Sequence, residues 1–204
     1  MAMKHMGEGQ CPFGFGDSDS KQAGTGQAGT GYTHSAMPTA MPRDKLPELV
    51  KEPIAEGEDG LRTGRCLCGE VSFKIKTKAD KAFANHDAES RRWTGGVALT
   101  LMVRASNTAF HGWGRVVQHA TNDRERHCFC RVCGSSLFVR HVQPEAMDGM
   151  ISISAGCLDS TEGLVLAADT YVDAKPDYYA FEGTRRGMTT AEVEAMHAPR
   201  TAAE

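Results

Sequence analysis

The chain has 204 residues, 24% of them charged and 40% hydrophobic, and carries a net charge of −3. Residues 1–62 hold six Lys/Arg against nine Asp/Glu, which leaves the remainder balanced at seventeen of each. No stretch is basic enough to gather phosphates, so nucleic acid is not an expected partner; the longest apolar-rich run, "VALTLMV", falls far short of a membrane span.

In chain order, residues 1–62 read as a flexible, disordered tail and linker. The first 45 residues contain no Val, Leu or Ile and include the tandem repeat "QAGTGQAGTG". Such a segment cannot bury enough apolar area to offset the entropy of ordering it. Its aromatic cluster, "CPFGFG", carries Cys11. The opening "MAMKHMGEGQ" lacks the hydrophobic core of a secretory signal, so a cytoplasmic location is expected.

From residue 63 the texture changes to that of a β domain over 63–183. "EVSFKIK" alternates Val71, Phe73 and Ile75 with polar neighbours, the period of a half-buried strand. "VALTLMV", "SLFVRHV" and "MISISAG" follow the same pattern, and "ADTYV" follows it in part; Gly-rich turns separate them. Residues 184–204 are predicted to hold a short helix and a tail, since "TTAEVEAMHA" places Thr189 and Glu192 at capping-box spacing. The fold class is therefore mainly β, built of antiparallel strands with a short C-terminal helix.

Seven cysteines, four of them in short-spaced pairs, fit metal ligation in a reducing compartment better than a disulfide framework. "CLCG" and "CFCRVCG" each end in a Gly that lets the backbone turn around an ion. Cys66, Cys68, Cys130 and Cys133 are assigned as the ligands of one structural zinc. Cys128 is expected on the opposite strand face from Cys130, outside the set.

"GRCLCGEVSF", "RRWTGG", "HCFCRVCGSSLF" and "ISISAGCLD", in that order, resemble the glutathione-dependent formaldehyde-activating enzyme and centromere protein V family. The resemblance implies a zinc-stabilised β-tent fold whose structural zinc is held by the two cysteine pairs. It also implies carbon–sulfur lyase chemistry on a thiol adduct of a small molecule, assisted by a second, catalytic zinc on three further cysteines. Aligned on the arginines of "NHDAESR", those three positions are Asn85, Asp87 and Ser90. An amide and a hydroxyl are poor zinc ligands, so the second zinc site is expected to be lost or altered. A metal-free mechanism would need a carboxylate acid/base pair. Asp87 and Glu89 are the candidates, with Arg91 or Arg92 neutralising developing charge.

Among other residues, His86, His111, His119, His127 and His141 offer one or two pocket-lining side chains. Cys157 reads as a small buried hydrophobe, Trp93 and Trp113 as core, and Asp159 as a turn former. Two functional readings stand: a divergent lyase of the resembled family, and a non-catalytic zinc-stabilised binding or assembly module whose tail contacts a partner protein.

Overall fold

The computed structural model describes residues 47–57 and 61–198, all within one compact unit. The tandem repeat and Cys11 lie outside the described residues. The described chain runs β1 (Glu48–Val50), β2 (Thr63–Arg65), β3 (Ser72–Ile75), β4 (Lys81–Asn85), α1 (Ala88–Thr94), β5 (Ala98–Arg104), β6 (Thr108–His111) and β7 (Val116–Ala120). It continues through β8 (Glu125–Cys130), β9 (Ser136–His141), β10 (Met150–Ser154), β11 (Val165–Thr170), β12 (Arg186–Met188) and α2 (Thr190–His197). The class is mainly β, as the alternating segments imply.

Two sheets carry the fold. One has the order β1-β6-β3-β2 and the other β12-β11-β4-β5-β10-β9-β8-β7. Antiparallel pairing dominates, but β1–β6, β4–β11 and β11–β12 are parallel. The parallel strands are short pieces separated by long stretches of chain. Alternation within one strand carries no information about the direction of such a partner. Two of these strands lie outside the domain bounds read from sequence. β1 falls in the segment assigned to tail and linker, where Lys76 Nζ meets Glu48 Oε2 at 2.7 Å. β12 falls in the C-terminal segment and adds an edge to the large sheet.

The apolar residues of the predicted strands meet between the sheets. Val71 just before β3, Phe73 and Ile75 from β3, Phe110 from β6, Leu137 and Phe138 from β9, and Ile151 and Ile153 from β10 are all buried in one cluster. The Phe110 ring lies 5.6 Å from Phe73, 5.4 Å from Trp113 and 5.2 Å from Phe138, so aromatic contact joins the sheets directly. Trp113 is thus a core residue, as read. Gly64 sits where a Cβ would come within 2.3 Å of the Cys157 carbonyl and 2.4 Å of Phe73 Cζ, so only glycine lets these layers close. Asp159 follows at this junction, its N–H bonding the Thr63 carbonyl and its carboxylate meeting Arg65 Nε at 3.3 Å.

Cys128 corrects an expectation. Side chains two positions apart in a strand share a face, and Cys128 and Cys130 are both buried in the same core cluster. Cys128 is nevertheless no part of the four-sulfur group: its thiol reaches the Arg126 carbonyl at 3.6 Å, and burial pushes it up to about 12.

The helix α2 begins as read, with Thr189 and Glu192 forming a reciprocal capping box. Its buried Val193 packs with Met188 and Ala168. The other helix was not anticipated. α1 occupies "AESRRWT", read from sequence as an irregular or extended segment around altered ligands. Asp87 caps it by accepting from the Glu89 and Ser90 backbone N–H groups. Gly95, at φ 77°, ends it in the left-handed region with its N–H on the Arg91 carbonyl.

Candidate metal centre and carboxylate–histidine site

Two turns of similar design bring the four cysteines together. After β2, Gly69 adopts φ 77° and its N–H closes onto the Cys66 carbonyl at 3.0 Å. After β8, Gly134 adopts the same φ and its N–H closes onto the Cys130 carbonyl at 2.8 Å. A Cβ at either glycine would strain that left-handed backbone. The Leu67 N–H donates to the Ser135 hydroxyl at 3.0 Å, which ties one turn to the other.

The Sγ atoms of Cys66, Cys68, Cys130 and Cys133 all lie within 4.8 Å of one another. Cys66–Cys68 is 3.5 Å and Cys68–Cys130 is 3.8 Å. A tetrahedral ion with metal–sulfur bonds of ~2.3 Å holds its sulfurs ~3.8 Å apart, so the cluster has the dimensions for one such ion. The donor set is closed, leaving no coordination position for a substrate. Ser135 hydrogen bonds, from hydroxyl and backbone, bring the Cys133 thiol down to about 5. At Cys68 the Glu70 backbone works in the same direction, but desolvation and the neighbouring sulfurs win and push it up to about 12. The cluster joins the β2–β3 turn of one sheet to the β8–β9 turn of the other.

Cys157 lies beside this centre with its Sγ 3.3 Å from the Ser136 carbonyl. Burial, followed by Cys66 and Cys133, pushes its thiol up to about 11. That is a protonated thiol, not an activated nucleophile.

The segment that drew attention in the sequence is tied down by hydrogen bonds. Asn85 Oδ1 accepts from the Asp87 N–H at 3.0 Å, and Asp87 Oδ1 accepts from Glu89 and Ser90 at 2.8 and 2.9 Å. Ser90 is buried and its carbonyl accepts from the Thr94 hydroxyl. Asn85, Asp87 and Ser90 therefore build the entry into α1. With one oxygen of each acidic or amide side chain already used, this set does not fit a zinc ion. Arg91 turns away from the carboxylates, donating to the carbonyls of His86 at 2.9 Å and Ala174 at 3.3 Å. It pins α1 to the end of β4. His86 is fully buried, with Nδ1 2.7 Å from the Tyr179 hydroxyl and Nε2 3.3 Å from Asp169, which itself accepts from Arg185.

Glu89 points elsewhere, into a group that sequence reading did not assemble. Its Oε1 accepts from Asn122 Nδ2 at 3.0 Å and stands 3.4 Å from His127 Nε2. Ligand atoms of Glu89, Glu125 and His127 all lie within 4.8 Å of one another. Glu125 meets His141 Nδ1 at 3.3 Å, and His141 Nε2 meets the Ser152 hydroxyl at 2.8 Å. This has the connectivity of a Ser-His-acid relay, but Ser152 is buried in the middle of a strand, without the exposed turn a nucleophile needs. Its effect is to orient Glu125. Burial alone would raise the Glu125 carboxyl, yet His141, His127 and Arg124 hold it below the ordinary range. Burial, then Glu125 and Asp87, push the Tyr171 phenol up to about 12. Trp93, expected in the core, instead forms a half-exposed wall, stacked on His119 at 5.8 Å and tilted over His127 at 4.7 Å. The usable signal was "ERHCFC": Glu125 and His127 alternate in a strand and so share a face.

Concavities also lie elsewhere, one of about 690 Å³ lined by Arg62, Lys78, Asp80 and Glu162, one of about 550 Å³ beside β1, and one of about 400 Å³ over Cys66 and Cys157.

The fold and site define a two-sheet β protein with a four-cysteine group that could hold a metal ion and a separate carboxylate–histidine group on the large sheet. The chain belongs to the glutathione-dependent formaldehyde-activating enzyme family, whose model matches residues 61–174. It is similar to an uncharacterized lyase of Schizosaccharomyces pombe, 24% identical over 132 residues that span 64% of this chain and 92% of that protein. No helix among the described residues is long and apolar enough to cross a membrane.

Proposed function

We propose that the protein is a carbon–sulfur lyase of this family. It would act on the adduct of a small aldehyde with a thiol, its fold held by one structural zinc on Cys66, Cys68, Cys130 and Cys133. The family match and the lyase-named relative support the reaction class. The observation that supports the location is the meeting of Glu89, Glu125 and His127 within 4.8 Å, with Glu89 in the first turn of the helix that Asp87 caps. The structural zinc supplies no chemistry to the reaction, because its four thiolates close the coordination sphere.

In such an adduct one carbon bears a hydroxyl and a thioether. A base takes the hydroxyl proton, the oxygen lone pair forms the carbonyl, and the carbon–sulfur pair leaves with sulfur as thiolate. Asp87 is the proton acceptor in this reading, through the carboxylate oxygen not used to cap α1. Glu89 keeps the rim negative, and Trp93 walls the approach beside His127.

Asp87→Asn separates the two duties of this residue. Asparagine caps a helix as well as aspartate does, so stability should hold while turnover of a formaldehyde–glutathione adduct falls about 10²- to 10⁴-fold. Asp87→Ala should lose the same activity and, in addition, about 1 kcal/mol of stability. Unchanged turnover in Asp87→Asn would remove Asp87 from the mechanism. Failure of the wild-type protein to exceed the uncatalysed rate on a panel of aldehyde–thiol adducts would remove the lyase reading.

A further inference from the structure

We infer that Glu89, Glu125 and His127 form a binding site for a divalent transition-metal ion, distinct from the four-cysteine centre. It is built from residues other than Asn85, Asp87 and Ser90. The argument begins with His127. Its ring is 1% exposed, and neither Nδ1 nor Nε2 makes a hydrogen bond among the described residues. A buried imidazole without partners costs free energy unless something else meets its nitrogen.

The nearest candidate is Glu89 Oε1, but it stands 3.4 Å from Nε2. A protonated histidine paired with a carboxylate closes to ~2.7–2.9 Å. Two ligand atoms bound to one ion at ~2.1 Å with tetrahedral angles sit ~3.4 Å apart. The observed spacing is that of two donors facing a common point. Glu125 completes the triangle, with all three donor atoms within 4.8 Å of one another.

The surrounding side chains are those that hold metal ligands in place. Asn122 donates to Glu89 Oε1 at 3.0 Å, and Glu125 is held by the His141–Ser152 relay at 3.3 and 2.8 Å. Trp93 covers the His127 face, with ring centroids 4.7 Å apart. Two carboxylates and a neutral imidazole carry two negative charges, which a divalent ion cancels. Oxygen donors with one imidazole suit Mn²⁺ or Zn²⁺, and three protein ligands leave positions open to a small molecule. The four-thiolate centre, by contrast, is soft and closed. The inference concerns binding and does not rest on the lyase reading. If both hold, the ion would polarise the adduct oxygen or sulfur.

The test uses full-length protein carrying one equivalent of zinc, titrated with Mn²⁺ alone and followed by electron paramagnetic resonance, with no substrate present. Saturable binding of one Mn²⁺ per chain is expected. Glu89→Gln and Glu125→Gln should each weaken it at least about tenfold. Glu89 is partly exposed, so its amide variant keeps the fold, checked by near-ultraviolet circular dichroism. A parallel titration with a second equivalent of Zn²⁺ should show the same loss. No saturable binding of either ion, or binding that both glutamine variants retain unchanged, would overturn the site and leave His127 as an ion-paired histidine.

Discussion

Cys130→Ser is expected to abolish metal binding at the four-cysteine centre and, with it, the cooperative fold. Structural zinc contributes on the order of 10 kcal/mol in small metal-dependent folds, while domains of this size are stable by only about 5–15 kcal/mol. The position of the sulfurs makes the effect global: Cys66 and Cys68 follow β2, Cys130 ends β8 and Cys133 lies in the turn after it, so an ion held there would cross-link the sheets. The serine also places a hydroxyl in a fully buried site, worth about 1–3 kcal/mol by itself. Chelation of the wild-type protein separates the two effects, since it removes the ion and leaves the side chain. Both treatments should erase near-ultraviolet circular dichroism and the cooperative thermal transition. A metal-free Cys130→Ser protein that still melts cooperatively within a few degrees of wild type would contradict this.

Phe110→Ala is expected to be the most damaging substitution away from the metal. The ring is 1% exposed and touches Phe73 in its own sheet, Phe138 in the other, and Trp113 between them. Truncating a buried Phe costs about 3–5 kcal/mol through lost transfer energy and the cavity left behind. For a domain of this length that lowers the melting temperature by on the order of 10 °C. Unlike Cys130→Ser, the variant should still bind metal at the cysteine centre, because the turns that carry the sulfurs are held by their own glycines and by Ser135. Chemical denaturation of the metal-loaded variant measures the loss. A change below about 1 kcal/mol would mean that the aromatic junction is not what holds the sheets together.

The strands with alternating apolar residues were legible because a half-buried sheet leaves a period of two in the chain. β3, β5, β9 and β10 appear where that period does. The clustering of the four cysteines was legible because paired cysteines before glycine encode a turn that can wrap an ion, and α2 because its capping box is a local motif. β1, β2, β4, β6, β7 and β12 were missed. Each is only three to five residues long and is held by its neighbours, so its own side chains carry little pattern. α1 was missed for a related reason. Its seven residues show no apolar periodicity, and the Asp87 cap and Gly95 stop were overshadowed by the altered ligand positions. The carboxylate–histidine group was legible only in part: strand spacing pairs Glu125 with His127 but gives no sign of Glu89. Glu89 and Glu125 are 36 positions apart, and only the large sheet, which carries β8 beside α1, brings them to one ion's width.

These features divide the molecule's work. In the proposed reading the cysteine centre, its coordination sphere closed by four thiolates, would hold the sheets in register. The α1 segment, tied by Asn85, Asp87 and Arg91, presents Glu89 to the strand residues Glu125 and His127. On the proposed function, chemistry and scaffold would therefore use different side chains.

X-ray absorption at the zinc edge, on protein loaded with a single equivalent, tests the scaffold most directly. Four sulfur neighbours at ~2.3 Å and no oxygen or nitrogen neighbour are expected. A shell of mixed oxygen and nitrogen, or a folded chain that takes up no zinc, would contradict the account.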